Sequence, residues 1–371
     1  LHASLAPSEM CIRDSTYTPS EILADIPGNL GFYPSESLVI VSFQPAHDGT
    51  ESFVPGPLLR ISIDDVEEGW EEGLALLDNY PDHIFLAFII STRPERHLAE
   101  LINFLDDPDQ CCVDLEGLWM VPEIQVGQPY EELFADPALH QGPGGDAWLY
   151  GRVAPITEFH SMRACIAEGD LPALDRQECF EPFQRRNRLG EREELAALGR
   201  LAIACANDAC CGRHTYGYDL VAIDNDVPEV LNDIDVPADC LADDELLFTA
   251  AVWMGSTKAR DVALRGCLDN PAAAAILMLA LAQTFSGTIR ANALAVYSVC
   301  TIQMGVYYKA STALMVGREE FPEHTFLRLL LGAFRCGLSE HLIDSVRQGS
   351  EKARLAAVYG VCGCASEPRA A

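Results

Sequence analysis

Apolar residues change their spacing along this chain near position 150. Before it they fall in short runs rich in β-branched residues and bounded by Pro, Gly and Asp. These runs predict strands over 37–43 (SLVIVSF), 58–64 (LLRISID), 83–90 (HIFLAFII) and 113–121. Between them, 66–79 and 95–105 carry apolar residues at helical spacing, with Leu98, Leu101, Ile102 and Leu105 in the second. The order strand, strand, helix, strand, helix, strand predicts an α/β sheet with helices as crossovers. The unbroken hydrophobicity of 83–90 marks a central strand covered on both faces.

After position 150 only the helical period persists, most clearly over 191–206, 243–253 and 258–268. Asn270-Pro271 supplies an N-cap and a proline at the first helical position of a very apolar helix, which Ser286-Gly287 closes. The segment 291–324 fits the roughly 34-residue tetratricopeptide template. Leu294 and Tyr297 take the apolar positions of a first helix and Gly305 the tight turn. Ala310 takes the small position of the second helix, Leu314 its large position and Pro322 the closing proline. A partial second unit over 324–336 ends at Gly337. Such arrays need about three units to stand alone, so the hairpin is expected to stack on the helices before it. It either offers a groove to a protein partner or closes the core of the helical domain.

The predicted architecture is an α/β N-terminal sheet domain over 16–121, a loop-rich connection over 122–152, and an all-α C-terminal domain over 153–360. The last carries the tetratricopeptide-like helical hairpin and is followed by a flexible tail, 361–371. Residues 1–15 (LHASLAPSEMCIRDS) read as translated sequencing adapter or a disordered arm, and are set outside the fold. They lack the basic stretch and apolar run of a secretory signal.

Charge narrows the function. Against 56 Asp+Glu stand 25 Lys+Arg, a net charge of −31, which argues against a nucleic-acid binder, since polyanion binding requires a basic face. Residues 254–371 carry twelve basic and nine acidic residues, so the acidity sits in the first 253. The longest uncharged apolar run, 272–282, is eleven residues, while a membrane span needs about 20. Fourteen cysteines are scattered without the dense spacing of a disulfide scaffold. Reduced thiols and a cytoplasmic location are the expectation.

No Walker A sequence, G-x-S-x-G elbow, H-E-x-x-H pair or G-x-G-x-x-G fingerprint occurs. Gly142-Pro143-Gly144-Gly145 lacks the following basic residue of a phosphate cradle. Cys205, Cys210, Cys211 and His214 are the metal candidates, since thiolate and imidazole suit tetrahedral zinc. Their spacing matches no common zinc knuckle, so neither a metal nor a cofactor is expected. Glu67, Glu68, Glu71 and Glu72 form an acidic, solvated face, and His160 is a candidate base without an identifiable partner. The stretch 26–37 (IPGNLGFYPSES) reads as a constrained turn that places Phe32 and Ser37 at an end of the sheet. Ligands of open α/β sheets bind at carboxyl ends of strands, whereas this turn leads into the amino end of its strand. A ligand site and a hydrophobic plug both remain open there.

The same residues carry a resemblance. Pro27, Leu30-Gly31-Phe32, Pro34 and Ser37-Leu38-Val39 open a string similar to that of an actinobacterial family of unknown function, numbered 4192. The strand at 56–63 (GPLLRISI), Trp148 to Arg152, and Arg260-Asp261 with Leu264 agree with it, as does the position of the tetratricopeptide-like hairpin. The resemblance covers roughly residues 20 to 350 and implies no activity and no catalytic residues. Members of the family carry a cysteine-containing segment between sheet and helices, whereas 122–145 has none, which further undercuts a metal role there.

Two functions stand at this point. The first is a non-enzymatic binding or protein-interaction module acting through the C-terminal helices, with neither nucleic acid nor membrane as partner. The alternative is a small-molecule enzyme with a pocket between the sheet and helical domains, its binding residues drawn from Phe32, Ser37, Trp148 and Arg152.

Overall fold

The structure, a computed structural model, describes residues 3–6, 18–45, 53–140, 145–167, 169, 171–186, 192–213, 217–234 and 237–359. Residues 7–15, Gly142-Pro143-Gly144, His214, the side chain of His160 and the tail 361–371 lie outside the described residues. The chain divides into two compact units, residues 1–179 with 334–337, and residues 180–333 with 338–371.

Unit one is built on a seven-stranded sheet. Its strands are β1 (Ala3–Ala6), β2 (Ser37–Pro45), β3 (Phe53–Ser62), β4 (Ile84–Ile90), β5 (Leu115–Val121), β6 (Pro129–Ala135) and β7 (Tyr150–Arg152), in the spatial order β1-β3-β2-β4-β5-β6-β7. Only β4 and β5 pair in parallel, and every other neighbouring pair is antiparallel. The helices α1 (Pro19–Leu30), α2 (Val66–Leu77), α3 (Ala99–Leu105), α4 (Pro108–Cys111), α5 (Asp146–Leu149) and α6 (His160–Ala167) complete the unit. As predicted, α2 and α3 lie in crossover connections, which lead from β3 to β4 and from β4 to β5.

The sheet has covered faces on both sides because successive strand residues point opposite ways. Val39, Val41, Phe88, Ile90, Trp119 and Val121 pack with Ile22, Leu23 and Ile26 of α1. Their neighbours Leu38, Ile40, Ala87, Ile89 and Leu118 meet Trp70 and Leu77 of α2 and Leu105 of α3. The Trp70 indole N–H donates to the Cys111 carbonyl at 2.9 Å, so this large side chain is buried without an orphaned donor.

Two segments differ from the sequence reading. The stretch 122–152, read as a connection, supplies β6 and β7 and extends the sheet. Ala3–Ala6 lies antiparallel to β3, as a short extended segment does when an edge strand offers unpaired N–H and C=O groups.

The N-terminal helix α1 was not predicted. Thr18 and Pro19 open it, with the Glu21 carboxylate accepting from the Thr18 backbone N–H at 3.0 Å. It runs through Pro27 and Gly28 and stops at Gly31, whose φ of 78° is left-handed. A proline in the last turn loses one helical hydrogen bond, and the burial of Ile22, Leu23, Ile26 and Leu30 outweighs that loss.

Unit two contains α7 (Arg192–Cys210), α8 (Leu220–Asn232), α9 (Pro237–Ala242), α10 (Asp244–Met254), α11 (Thr257–Asp269), α12 (Pro271–Thr284), α13 (Gly287–Gln303), α14 (Tyr307–Glu320), α15 (Thr325–Arg335) and α16 (Ser339–Tyr359). Local chemistry sets their starts. Asp243 accepts from the Glu245 and Leu246 amides at 3.0 and 2.9 Å, Ser256 accepts from the Ala259 amide at 3.2 Å, and Pro271 follows Asn270. Helices α12 and α13 are buried on nearly every side, which is why their apolar residues show so little one-sidedness. Gly305, at φ 74°, forms the left-handed turn between α13 and α14. Among the described residues no helix is long and apolar enough to cross a membrane.

Two buried arginines organise these helices. Arg260 donates to Asp261 and, at 3.0 Å, to Asn292, and its guanidinium stacks 4.3 Å from the centre of the Phe326 ring. Asn292 donates in turn to the Met254 carbonyl at 2.8 Å, so α11, α13 and the end of α10 share one network. The second, Arg290, is 2% exposed. It forks onto both Glu320 oxygens at 2.7 and 2.5 Å and donates to the Phe183 carbonyl at 2.9 Å and to the Ala282 carbonyl.

Candidate functional site

The antiparallel pairing of β2 with β4 changes the meaning of the turn before β2. Ser37 faces Ile90 across the ladder, so the amino end of β2 lies beside the carboxyl ends of the parallel strands β4 and β5. A polar cluster occupies that end. Glu36, with a left-handed φ of 43°, accepts from the Ser91 hydroxyl at 2.8 Å, the Thr92 amide at 3.1 Å and Arg93 Nε at 2.7 Å. Burial alone would push the Glu36 carboxyl up, but these hydrogen bonds and the Arg93 charge outweigh it and hold it below its ordinary value. Arg93 also grips Asp64 with two bonds of 2.8 and 2.9 Å. The cluster is closed upon itself: each of these charges is met by another.

The four residues drawn from the sequence lie around this sheet in different settings. Ser37 is fully buried, donates to the Ser35 carbonyl at 2.7 Å and accepts from Arg60 Nε at 2.9 Å. Phe32 is 5% exposed within the core on the α1 side, and Trp148 packs against that same core. The Trp148 carbonyl accepts from Trp119 Nε1 at 2.5 Å, and the two indoles sit 5.6 Å apart. Arg152 is exposed on β7, where its Nη1 donates to the Gly127 carbonyl at 2.7 Å. Phe32 and Trp148 are thus brought to one core, whereas Ser37 and Arg152 have separate hydrogen-bond partners.

The three described cysteines of the metal candidates sit in different settings on α7 and just after it. Cys205 is buried, Cys210 lies 3.1 Å from the Ser256 hydroxyl, and Cys211 is exposed. Burial pushes the Cys205 thiol up, away from the thiolate a metal would need. Among the described residues no three His, Cys, Asp or Glu side chains gather as a metal would require. Burial also pushes Cys267 up to about 12 and raises Cys300, each fully enclosed by helices. Iodoacetamide is therefore expected to alkylate exposed Cys112 and Cys211 in the native protein, and Cys267 and Cys300 only after denaturation. Peptide mass spectrometry reads this directly, and native alkylation of Cys300 at the Cys112 rate would contradict the closed packing.

A cavity of about 450 Å³ lies in unit two. One wall is α7, which presents Leu195, Ala196, Gly199, Arg200 and Ile203. The opposite wall is the corner between α12 and α13, from Thr284 to Ile289. Arg185 and Arg186 supply the rim. Glycine at 199 lets α7 approach the corner closely, since a Cβ there would meet the Phe285 ring at 3.3 Å. The apolar floor comes from buried Phe285 and Ile289.

Buried polar groups hold this corner. Arg290 fixes the carbonyls of Phe183 and Ala282. Gln283 Nε2 donates to the Pro182 carbonyl at 2.6 Å, and its own carbonyl accepts from the Arg186 amide at 3.0 Å. The segment 182–186 is thereby stapled to the helix corner, and Arg185 and Arg186 are carried to the cavity mouth.

Sequence reasoning missed this site. A signal was present: residues 185–200 hold five arginines in the acid-rich part of the chain. The spacing of apolar residues is silent about them, and the corner that completes the cavity comes from about a hundred residues later.

No curated protein and no solved structure matches the chain. A family model matches residues 19–341, from the start of α1 into α16, and so takes in both units. The chain belongs to the family described as Domain of unknown function (DUF4192).

Proposed function

We propose that the chain is a non-enzymatic binding module whose helical unit holds a small ligand in the cavity between α7 and the α12–α13 corner. The observation that carries this reading is the cavity itself. Its volume of about 450 Å³ falls in the range of small-molecule sites, roughly 300–1,000 Å³. It joins an apolar floor of Phe285 and Ile289 to a polar rim, which is the composition that orients a ligand. Its described lining holds arginine, serine and threonine but no carboxylate, imidazole or thiol. Arginine stays protonated throughout the working pH range, and a hydroxyl with no base beside it is a poor nucleophile. The chemistry on offer is holding rather than proton transfer.

Ala196 is exposed on α7 and lines the cavity, so Ala196→Trp would fill it without disturbing the helix core. A small-molecule library screened by ligand-observed NMR is expected to yield binders of the wild-type chain that the Ala196→Trp chain releases, with both chains equally resistant to heat. A library whose hits are insensitive to the substitution would remove the cavity from consideration.

A further inference from the structure

We propose that the group this cavity recognises is a phosphate, carried on a ligand with an apolar or aromatic body. The inference rests on the binding reading above and adds the chemistry of the ligand. Its ground is the pairing of charges. The chain's 25 basic residues stand among 56 carboxylates, and several of its arginines pair with an acid. Arg93, Arg213, Arg260, Arg265, Arg347 and Arg354 all do. Arg185, Arg186 and Arg200 do not. Among the described residues none of the three side chains makes a hydrogen bond or an ion pair, yet all three line one cavity. Three like charges held together repel one another, and an oxyanion between them relieves that repulsion.

The remaining lining fits the same guest. The planar fork of a guanidinium matches two phosphate oxygens at once, which an ammonium does not. Ser286 precedes α13, a helix of 17 residues, and its hydroxyl makes no capping bond, so it is available to a ligand together with the Thr288 hydroxyl. The positive end of the helix adds to the arginine field. Opposite this charge, Phe285 and Ile289 supply an apolar surface for the rest of the molecule. The chain's net charge of −31 repels nucleic acid, whose many phosphates meet 56 carboxylates against 25 basic residues over the whole molecule. A small organic phosphate carries too little charge to be repelled in the same way.

Calorimetric titration of the full chain tests this with three probes: phenyl phosphate, inorganic phosphate and phenol. Phenyl phosphate is expected to bind, inorganic phosphate to compete with it, and phenol to bind at least about tenfold more weakly. Arg200→Gln and the pair Arg185→Gln with Arg186→Gln each remove exposed charge and are expected to weaken phenyl phosphate at least about tenfold. Independently of any variant, the affinity of the wild-type chain should fall as sodium chloride rises. Phenol binding as tightly as phenyl phosphate, with both lost in Ala196→Trp, would overturn the phosphate inference while the binding reading stood. Absence of binding by both phosphate probes would overturn it too, and the library screen would then decide the binding reading separately.

Discussion

Arg290→Met is expected to lower the stability of the helical unit by about 3–5 kcal/mol, the range for stripping one partner from a buried ion pair. Methionine keeps much of the apolar stem but offers no donor. The carbonyls of Phe183 and Ala282 are then left in a dry corner, and Glu320 loses its two-pronged partner. Because the Glu320 side chain is 40% exposed, water replaces part of that bond, and most of the loss falls on the carbonyls. This places the cost toward the lower end of the range. Arg290→Lys should recover only part of it, since one ammonium cannot reach four acceptors in a plane. Urea titration followed by far-ultraviolet circular dichroism measures the effect. An unchanged midpoint in Arg290→Met would show that this side chain does not hold the corner together.

Gly28→Ala is the second large effect expected, at about 3 kcal/mol, the upper end of the usual range for overpacking a close contact. A methyl group at this position would meet the Ser161 side chain and lie 2.7 Å from its carbonyl carbon. Ser161 cannot swing aside without giving up its 2.6 Å bond to Asp25 Oδ1. Backbone is involved on both sides, so α1 and α6 must separate, and Ile22, Leu23 and Ile26 lose contacts beneath them. Differential scanning calorimetry of the two chains should show the lower transition temperature for Gly28→Ala. Equal temperatures would mean that the helices can part at no cost. The result also gives a physical reason for glycine in the Pro27-Gly28 pair.

The strands of unit one were legible because they are buried on both faces, and burial writes itself as unbroken apolar runs. His83–Ile90 read as a central strand, and its core, Ile84–Ile90, has β2 on one side and β5 on the other. The starts of the later helices were legible too, since Asn270-Pro271 is a local signal that needs no tertiary context. What escaped was the work of distant partners. Pro27-Gly28 reads as a turn until α6 is there to explain the glycine. Pro129–Ala135 (PYEELFA) carries two glutamates and is only half covered, so it lacks the apolar weight of an inner strand. Whether Ser37 lay at a ligand-bearing end of the sheet depended on a pairing direction that no single strand encodes. The cavity was least visible of all, because its arginines and its helix corner become neighbours only through Arg290 and Gln283.

That last dependence sets an order in time. Arg290 reaches back across 107 positions to the Phe183 carbonyl, so as the chain leaves the ribosome the first half of the cavity is made long before its counterpart exists. Closing so long a loop is favoured only once α12 and α13 have gathered. The arginines at 185 and 186 are therefore fastened to the helix corner only after that later pair of helices has formed.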